Sequence, residues 1–153
     1  MHIESFKKEQ NAEIKELVTS IMAREYADDQ KAYQYGDLDN ITEAYGSLRE
    51  KFLVAYEGTA LIGIVGIKED SEKVALLRRF FIHPSHRGRS AGSALVDTAL
   101  DFCKMNNYSY VNFRATSSMQ AAIKLLCNRK GFVEKDRCPF EGIEIVNLVY
   151  KIR

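Results

Sequence analysis

Arg87-Gly88-Arg89 and the Ser90-Ala91-Gly92-Ser93 that follows form the stretch of this chain best suited to chemistry. It is preceded by an apolar run, Phe80-Phe81-Ile82, and a His83-Pro84 turn, and followed by Ala94-Leu95. That order predicts a strand, a tight basic loop and the first turn of a helix. Such a unit suits a phosphorylated ligand. Glycine lets the backbone approach the ligand and adopt positive φ. The free N–H groups at a helix start face an anion, and the helix dipole adds roughly half a positive charge there. Arg87 and Arg89 add full charges that fork onto phosphate oxygens. A triphosphate P-loop is disfavoured, because no Gly-Lys-Ser/Thr closes the loop.

Other reactive residue types are sparse. Cys103, Cys127 and Cys138 are odd in number and lack CxxC spacing, so neither a disulfide framework nor a zinc site is expected. Reduced thiols fit a cytoplasmic protein. His2, His83 and His86 share no metal-ligand spacing, so no metal is expected. His83 reads as a turn residue before Pro84 and His86 as an exposed loop residue.

The elements that must position the loop follow from hydrophobic spacing. Met1 to Phe6 reads as a short strand. Ile14, Leu17, Val18, Ile21 and Met22 recur at helical spacing, with Asn11 as the expected N-cap. Residues 27–37 are polar and tyrosine-rich, without a clean period. A short helix is expected over residues 39–45. Phe52 to Tyr56, Glu57-Gly58 and Ala60 to Ile67 predict a hairpin. Val74 to Ile82 reads as a third strand, long enough for a bulge. Leu95, Val96, Ala99, Leu100, Phe102 and Cys103 make an apolar helical face, ended by Asn106-Asn107. Tyr110 to Phe113 reads as strand, Met119 to Leu126 as helix, and Phe132 to Asp136 and Ile143 to Ile152 as two closing strands. The order β-α-α-β-β-β-α-β-α-β-β indicates a mixed α/β domain.

At 153 residues, one domain spanning residues 1–153 is expected, with a core of its own. The net charge of +1 supplies no global basic field, so no nucleic acid is expected and phosphate recognition must be local. No apolar run reaches the roughly 20 residues of a membrane span, so no membrane is expected. A secretory signal is not expected from Met1-His2-Ile3-Glu4-Ser5-Phe6.

The residues from Leu77 to Phe132 resemble the GNAT superfamily of acyl-CoA-dependent N-acyltransferases. The family motif is Arg or Gln, two residues, Gly, one residue, then Gly or Ala. Here Arg87 opens it and Gly92 closes it, with Ser90 at the middle glycine. Phe80-Phe81-Ile82-His83-Pro84 matches the family's strand and Pro-containing turn. Ala122 to Lys130, ending in Gly131-Phe132, matches the family's helix and its Gly-Phe close. The resemblance implies a mixed, mostly antiparallel sheet of six to seven strands, splayed in the middle and flanked by about four helices. It implies acetyl-CoA as co-substrate, with pantetheine against Phe81 and Ile82. The pyrophosphate would sit on Arg87, Gly88, Arg89, Ser90, Ala91, Gly92 and Ser93. Ser90 is costly if that position needs positive φ, by about 1 kcal/mol or more.

The implied reaction is attack of a neutral amine on a thioester, without an acyl-enzyme. Strand N–H groups near Ile82 would serve the oxyanion. The tyrosine that many members place four residues before Gly-Phe is Cys127 here, or Leu126 if the helix carries a one-residue insertion. Their glutamate on the strand before the loop falls at Leu76 or Leu77. Cys127 is thus a candidate proton donor or a small packing residue. Tyr33, Tyr35, Tyr108 and Tyr110 are the other candidates, with Tyr35 and Tyr110 carried forward. Positioning alone is the alternative.

The partner implied is a small-molecule or peptide amine, and a homodimer stays open. Tyr26, Tyr33, Tyr35 and Tyr45 read as half-buried loop packing or as an acceptor wall, and Asp28, Asp29, Asp37 and Asp39 as a carboxylate-lined mouth for a cationic amine or as a solvated acidic loop. Glu141 and Glu144 are candidates for the same mouth. An acyl-CoA sensor without turnover is the alternative function. A nucleotide-binding α/β domain using the same loop is a weaker third reading.

Overall fold

The computed structural model describes residues 1–153. Seven strands form one sheet in the order β1-β2-β3-β4-β5-β7-β6. They are β1 (His2–Ser5), β2 (Lys51–Glu57), β3 (Ala60–Glu69), β4 (Val74–Ile82), β5 (Tyr110–Thr116), β6 (Val133–Phe140) and β7 (Ile143–Lys151). Four α-helices accompany them: α1 (Asn11–Glu25), α2 (Ile41–Ala44), α3 (Ala91–Met105) and α4 (Gln120–Arg129). All strand pairs are antiparallel except β4 with β5.

The helical spacing read from the sequence is the buried face of each helix. Ile14, Leu17, Val18, Ile21 and Met22 of α1 are buried, as are Leu95, Val96, Ala99 and Cys103 of α3. Both helices pack on β3 and β4. β3 is buried continuously from Leu61 to Ile67, which explains why it reads as an unbroken apolar run.

The sheet opens between β4 and β5. Their parallel pairing covers only Val74–Leu77 against Tyr110–Phe113. Beyond it, β4 runs on to Ile82 and β5 to Thr116, and the two diverge. A bulge marks the same place on β4. Ile64 pairs with Phe81 and Gly66 with Arg78, so Arg79 and Phe80 oppose the single residue Val65. Arg79 takes φ 54° there. Bulges of this kind bend a strand and re-aim its side chains.

Three local expectations change. Asn11 is the first residue of α1 and is not its N-cap. Its amide instead donates to Leu38 O at 2.8 Å and accepts from Ile41 N at 2.9 Å, tying α1 to the start of α2. The expected helix over 39–45 is the single turn of α2, preceded by 3-10 turns at Ala27–Ala32 and Gly36–Asp39. β6 extends to Phe140 through Pro139, which is tolerated because β6 is an edge strand, exposed at every position.

Candidate functional site

A cleft of about 260 Å³ lies where β4 leaves β5. Phe80, Phe81 and Ile82 of β4 line it, with Phe113 of β5 facing them. Ala121, Ala122 and Leu125 of α4, with Met119 just before it, extend the apolar wall. Gly88, Ser90, Gly92 and Ser93 line it where the loop after β4 enters α3.

The loop is built to present donors. Ser90 is the N-cap of α3 at φ 67° and makes no side-chain cap bond. From Gly88 to Ser93 no backbone N–H donates to another backbone group. The first such bond in the helix is Ala94 N–H to Ser90 O at 3.0 Å. Six consecutive donors are therefore unspent, and the helix dipole adds to them. Gly88 sits at φ 78°, which glycine takes without strain. Ser90 holds the same region without that freedom.

Gly92 keeps the cleft floor low. A β-carbon there would stand 3.3 Å from Phe80 Cζ and 3.4 Å from Leu125 Cδ2. The turn before the loop is closed by His83, whose Nδ1 accepts from Ser85 N–H at 3.1 Å. His86 lines the cleft, and its Nδ1 is buried with no hydrogen-bond partner. The exposed loop histidine of the sequence reading is thus half-buried.

Arg87 lines the cleft but is already engaged. Its Nη2 donates to Glu25 Oε2 at 2.8 Å and its Nε to Ile82 O at 3.1 Å. The hydrogen bond to Glu25, opposed by burial, holds the guanidinium still more firmly protonated. Arg89 is exposed, makes no ion pair and does not line the cleft. Ala91 is buried and offers only its N–H.

Of the proton-handling candidates, none lines the cleft. Cys127 is half-buried on α4, and burial, with Glu134 nearby, raises its thiol pKa. Tyr110 opens β5 at the closed end of the split, opposite Val74 and Lys151, and is 39% exposed. Tyr108 is buried and donates to Arg49 O at 2.7 Å, tying the α3–β5 turn to the chain before β2. Tyr35 lies beside the Arg79 guanidinium, 5.5 Å from ring centre to Cζ, and burial raises its phenol pKa. Tyr33 sits behind the wall, donating to Met119 Sδ at 3.3 Å, and burial pushes its pKa up to about 12.

Two further groups line the cleft: Tyr26, which the sequence offered as loop packing or acceptor wall, and Arg129, which it did not single out. Tyr26 follows α1, and its phenol pKa is raised by burial and by Glu25. Arg129 ends α4 on the cleft, exposed and in no ion pair. The only signal for Arg129 was its place two residues before Gly131.

Of the acidic residues of the 27–46 segment, Asp29 and Asp37 are committed inward, while Asp28, Asp39 and Glu43 are exposed. Asp37 pairs with Arg79 and Asp39 with Lys15. Asp29 accepts from Thr116 Oγ1 at 2.8 Å and from the Ser118 hydroxyl. No carboxylate lines the cleft. Glu144 pairs with Arg137 at 3.0 Å, and Glu141 is exposed in the β6–β7 turn. The three cysteines are free, and no helix is long and apolar enough to cross a membrane.

Comparisons with known proteins agree with this architecture. A solved GNAT-family acetyltransferase from Staphylococcus aureus Mu50 superposes with a TM-score of 0.84 at 20% identity, covering 99% of both chains. A structure of yncA from Salmonella typhimurium, described as a putative acetyltransferase with its cofactor acetyl-CoA, gives 0.82 at 18% identity, covering 98% of this chain and 92% of that one. At such identities the likeness is one of fold. N-acetyltransferase 8F1 of Rattus norvegicus is 31% identical over 94 residues, 58% of this chain and 42% of that protein. The match thus spans less than half of that relative. Residues 13–132 match the family described as acetyltransferase (GNAT), and by that match, over most of its length and across both sides of the cleft, this chain belongs to that family.

Proposed function

We propose that the protein transfers an acetyl group from acetyl-CoA to a primary amine, by direct attack in a ternary complex. One observation carries this reading: six unspent N–H donors at the start of α3 open on an apolar cleft between two diverging strands. A diphosphate joined to a long, uncharged arm matches that pairing of chemistries. Gly88 to Ser93 would receive the pyrophosphate, and Phe81 and Ile82 the pantetheine. Arg129 adds a free cation on the α4 side, and Arg87, paired with Glu25, stands on the loop side.

In the reaction the amine nitrogen bonds to the thioester carbon and the carbon–sulfur bond breaks. The amine loses a proton and the departing thiolate gains one. Tyr26 and His86 are the cleft groups able to move a proton. The Tyr26 phenol is protonated at neutral pH, as any tyrosine is, and is the cleft group that could donate to the thiolate. Placement of the two reactants supplies the remainder. We take residues 1–153 as one unit, and free thiols fit a reducing, cytoplasmic setting.

The second reading, binding of acyl-CoA without turnover, draws on the lack of a carboxylate in the cleft. Calorimetric titration with CoA, ATP and NAD, followed by acetyl transfer to a panel of amines, separates the readings. CoA binding with transfer supports the enzyme. CoA binding without transfer to any amine supports the sensor. Binding of ATP or NAD in place of CoA removes both.

A further inference from the structure

Arg78 and Arg114 flank the point where the sheet opens. The parallel register of β4 and β5 ends with Leu77 opposite Phe113, so these two arginines are the next residues on their strands. Side chains alternate along a strand, which puts both on the face of Leu76 and Asn112. Phe113 points to the other face, into the cleft that α3 and α4 close. Arg78 is half-buried and Arg114 is exposed. Neither guanidinium is in an ion pair. The carboxylates on either side are taken by others. Asp37 pairs with Arg79 and accepts from the Tyr45 hydroxyl at 2.7 Å. Asp136 accepts from the Asn147 amide. Arg114 and Asn112 line a depression of about 210 Å³, which also holds Lys135 and Asp136, two cations against one carboxylate. Like charges facing each other on neighbouring strands are unfavourable, and a bound anion relieves that.

We propose that Arg78 and Arg114 are specificity-determining residues that clasp a carboxylate of the acceptor, so that the amine acetylated here is one that carries an acidic group. This rests on the acetyltransferase reading above. A coenzyme that fills the cleft from the α3 and α4 side leaves the opposite face of the split for the amine. There a purely cationic acceptor meets two guanidinium groups and is repelled. A carboxylate on the same molecule turns that repulsion into attraction, and the arginine fork takes a carboxylate through two N–H groups. One carboxylate against two cations leaves the site net positive. That lowers the pKa of an amine held beside it and favours the neutral nucleophile, in a cleft that offers no carboxylate base. The acidic mouth that the sequence suggested for a cationic amine is thus replaced by a basic one.

The test uses acceptors matched with and without a carboxylate: tyrosine and tyramine, lysine and cadaverine, and a Ser-Ala-Glu peptide and its Ser-Ala-Gln amide. Steady-state transfer is measured with wild type, Arg78→Gln, Arg114→Gln and Arg114→Lys, and acetyl-CoA affinity by calorimetry. Wild type is expected to favour the carboxylated member of at least one pair by about tenfold or more in kcat/KM. The pair that responds tells a free amino acid from a peptide. Each Gln variant cuts that preference to about threefold or less, mainly by raising KM for the carboxylated member. Arg114→Lys, which keeps the charge and loses the fork, retains an intermediate preference. Acetyl-CoA affinity moves by less than about twofold. Arg114→Gln, at an exposed position, carries the test if Arg78→Gln does not fold. Wild type that serves both members of every pair equally, or favours those without the carboxylate, overturns this inference alone. So does an undiminished preference in the folded Gln variants, or a loss of acetyl-CoA affinity that matches the loss of transfer. Wild-type protein that transfers to no amine overturns the transferase reading and this one with it.

Discussion

Arg87 and Glu25 join the phosphate-facing loop to the end of α1: the guanidinium spans both carboxylate oxygens, with Nη2 to Oε2 at 2.8 Å. Arg87 thus reaches a ligand phosphate only by sharing or exchanging that carboxylate. The pair is partly exposed, so its own contribution to stability is small.

Glu25→Gln should therefore tighten CoA binding, because it removes the competitor and leaves the loop intact. A gain of about two- to tenfold is expected. Arg87→Glu should weaken binding by about tenfold or more, with a nearly unchanged melting temperature. Calorimetry with CoA measures both. Weaker binding in Glu25→Gln would show that the carboxylate orients Arg87 for the ligand.

Arg129→Ala should also lower CoA affinity, by about three- to tenfold, since a free cation on the cleft is lost. Arg89→Ala, whose side chain stands outside the cleft, should change it by less than about twofold. Titration of the two variants side by side distinguishes the arginine on the cleft from the loop arginine outside it.

Ser90→Gly should stabilise the protein. A serine at φ 67° costs roughly 1–2 kcal/mol in that region, and glycine returns about 0.5–1 kcal/mol of it as chain entropy. The net gain is up to about 1.5 kcal/mol, a few degrees in melting temperature. Thermal unfolding measures it, and a lower melting temperature would mean that the serine side chain compensates its own strain.

Cys127→Ala should keep most of the transfer activity, because the thiol is off the cleft. Its raised pKa keeps it protonated at neutral pH, so iodoacetamide should modify it far more slowly than the exposed Cys138. Mass spectrometry of the alkylated protein reads the order. Loss of turnover at an unchanged melting temperature would return Cys127 to the role of proton donor.

Stability should fall at both pH extremes through Asp37 and Tyr33. Burial opposes ionisation of Asp37, but its bonds to Arg79 and Tyr45 outweigh this and hold its pKa below the usual value. The unfolded chain then binds more protons, so this contribution is present above about pH 4 and is lost as pH falls through the folded pKa. Tyr33 is shifted the other way, by burial, up to about 12. Its contribution is whole below the ordinary tyrosine pKa and is lost as pH rises toward 12. Denaturant midpoints across pH, in wild type, Asp37→Asn and Tyr33→Phe, should show a flatter acid limb and a flatter alkaline limb in the respective variants.

The chain's local periodicities and turn residues determined the element order, the basic loop and its family likeness. Arg87 to Ser93 carry their meaning in their spacing, because a strand, a glycine bend and a helix start are local events. Leu95 to Cys103 likewise declare a buried face by 3.6-residue recurrence alone. Tertiary structure decided what those residues meet. Arg87 finds Glu25 from 62 positions away and Arg79 finds Asp37 from 42. No spacing rule connects such pairs, since a bulge and a diverging pair of strands bring them together. The same holds for Tyr110, whose strand was correctly read but whose end of the strand faces away from the split. Asp29 and Asp37 looked like a solvated acidic mouth because sequence shows charge without its partner. Only the packed fold shows that both are spent on holding the segment in place.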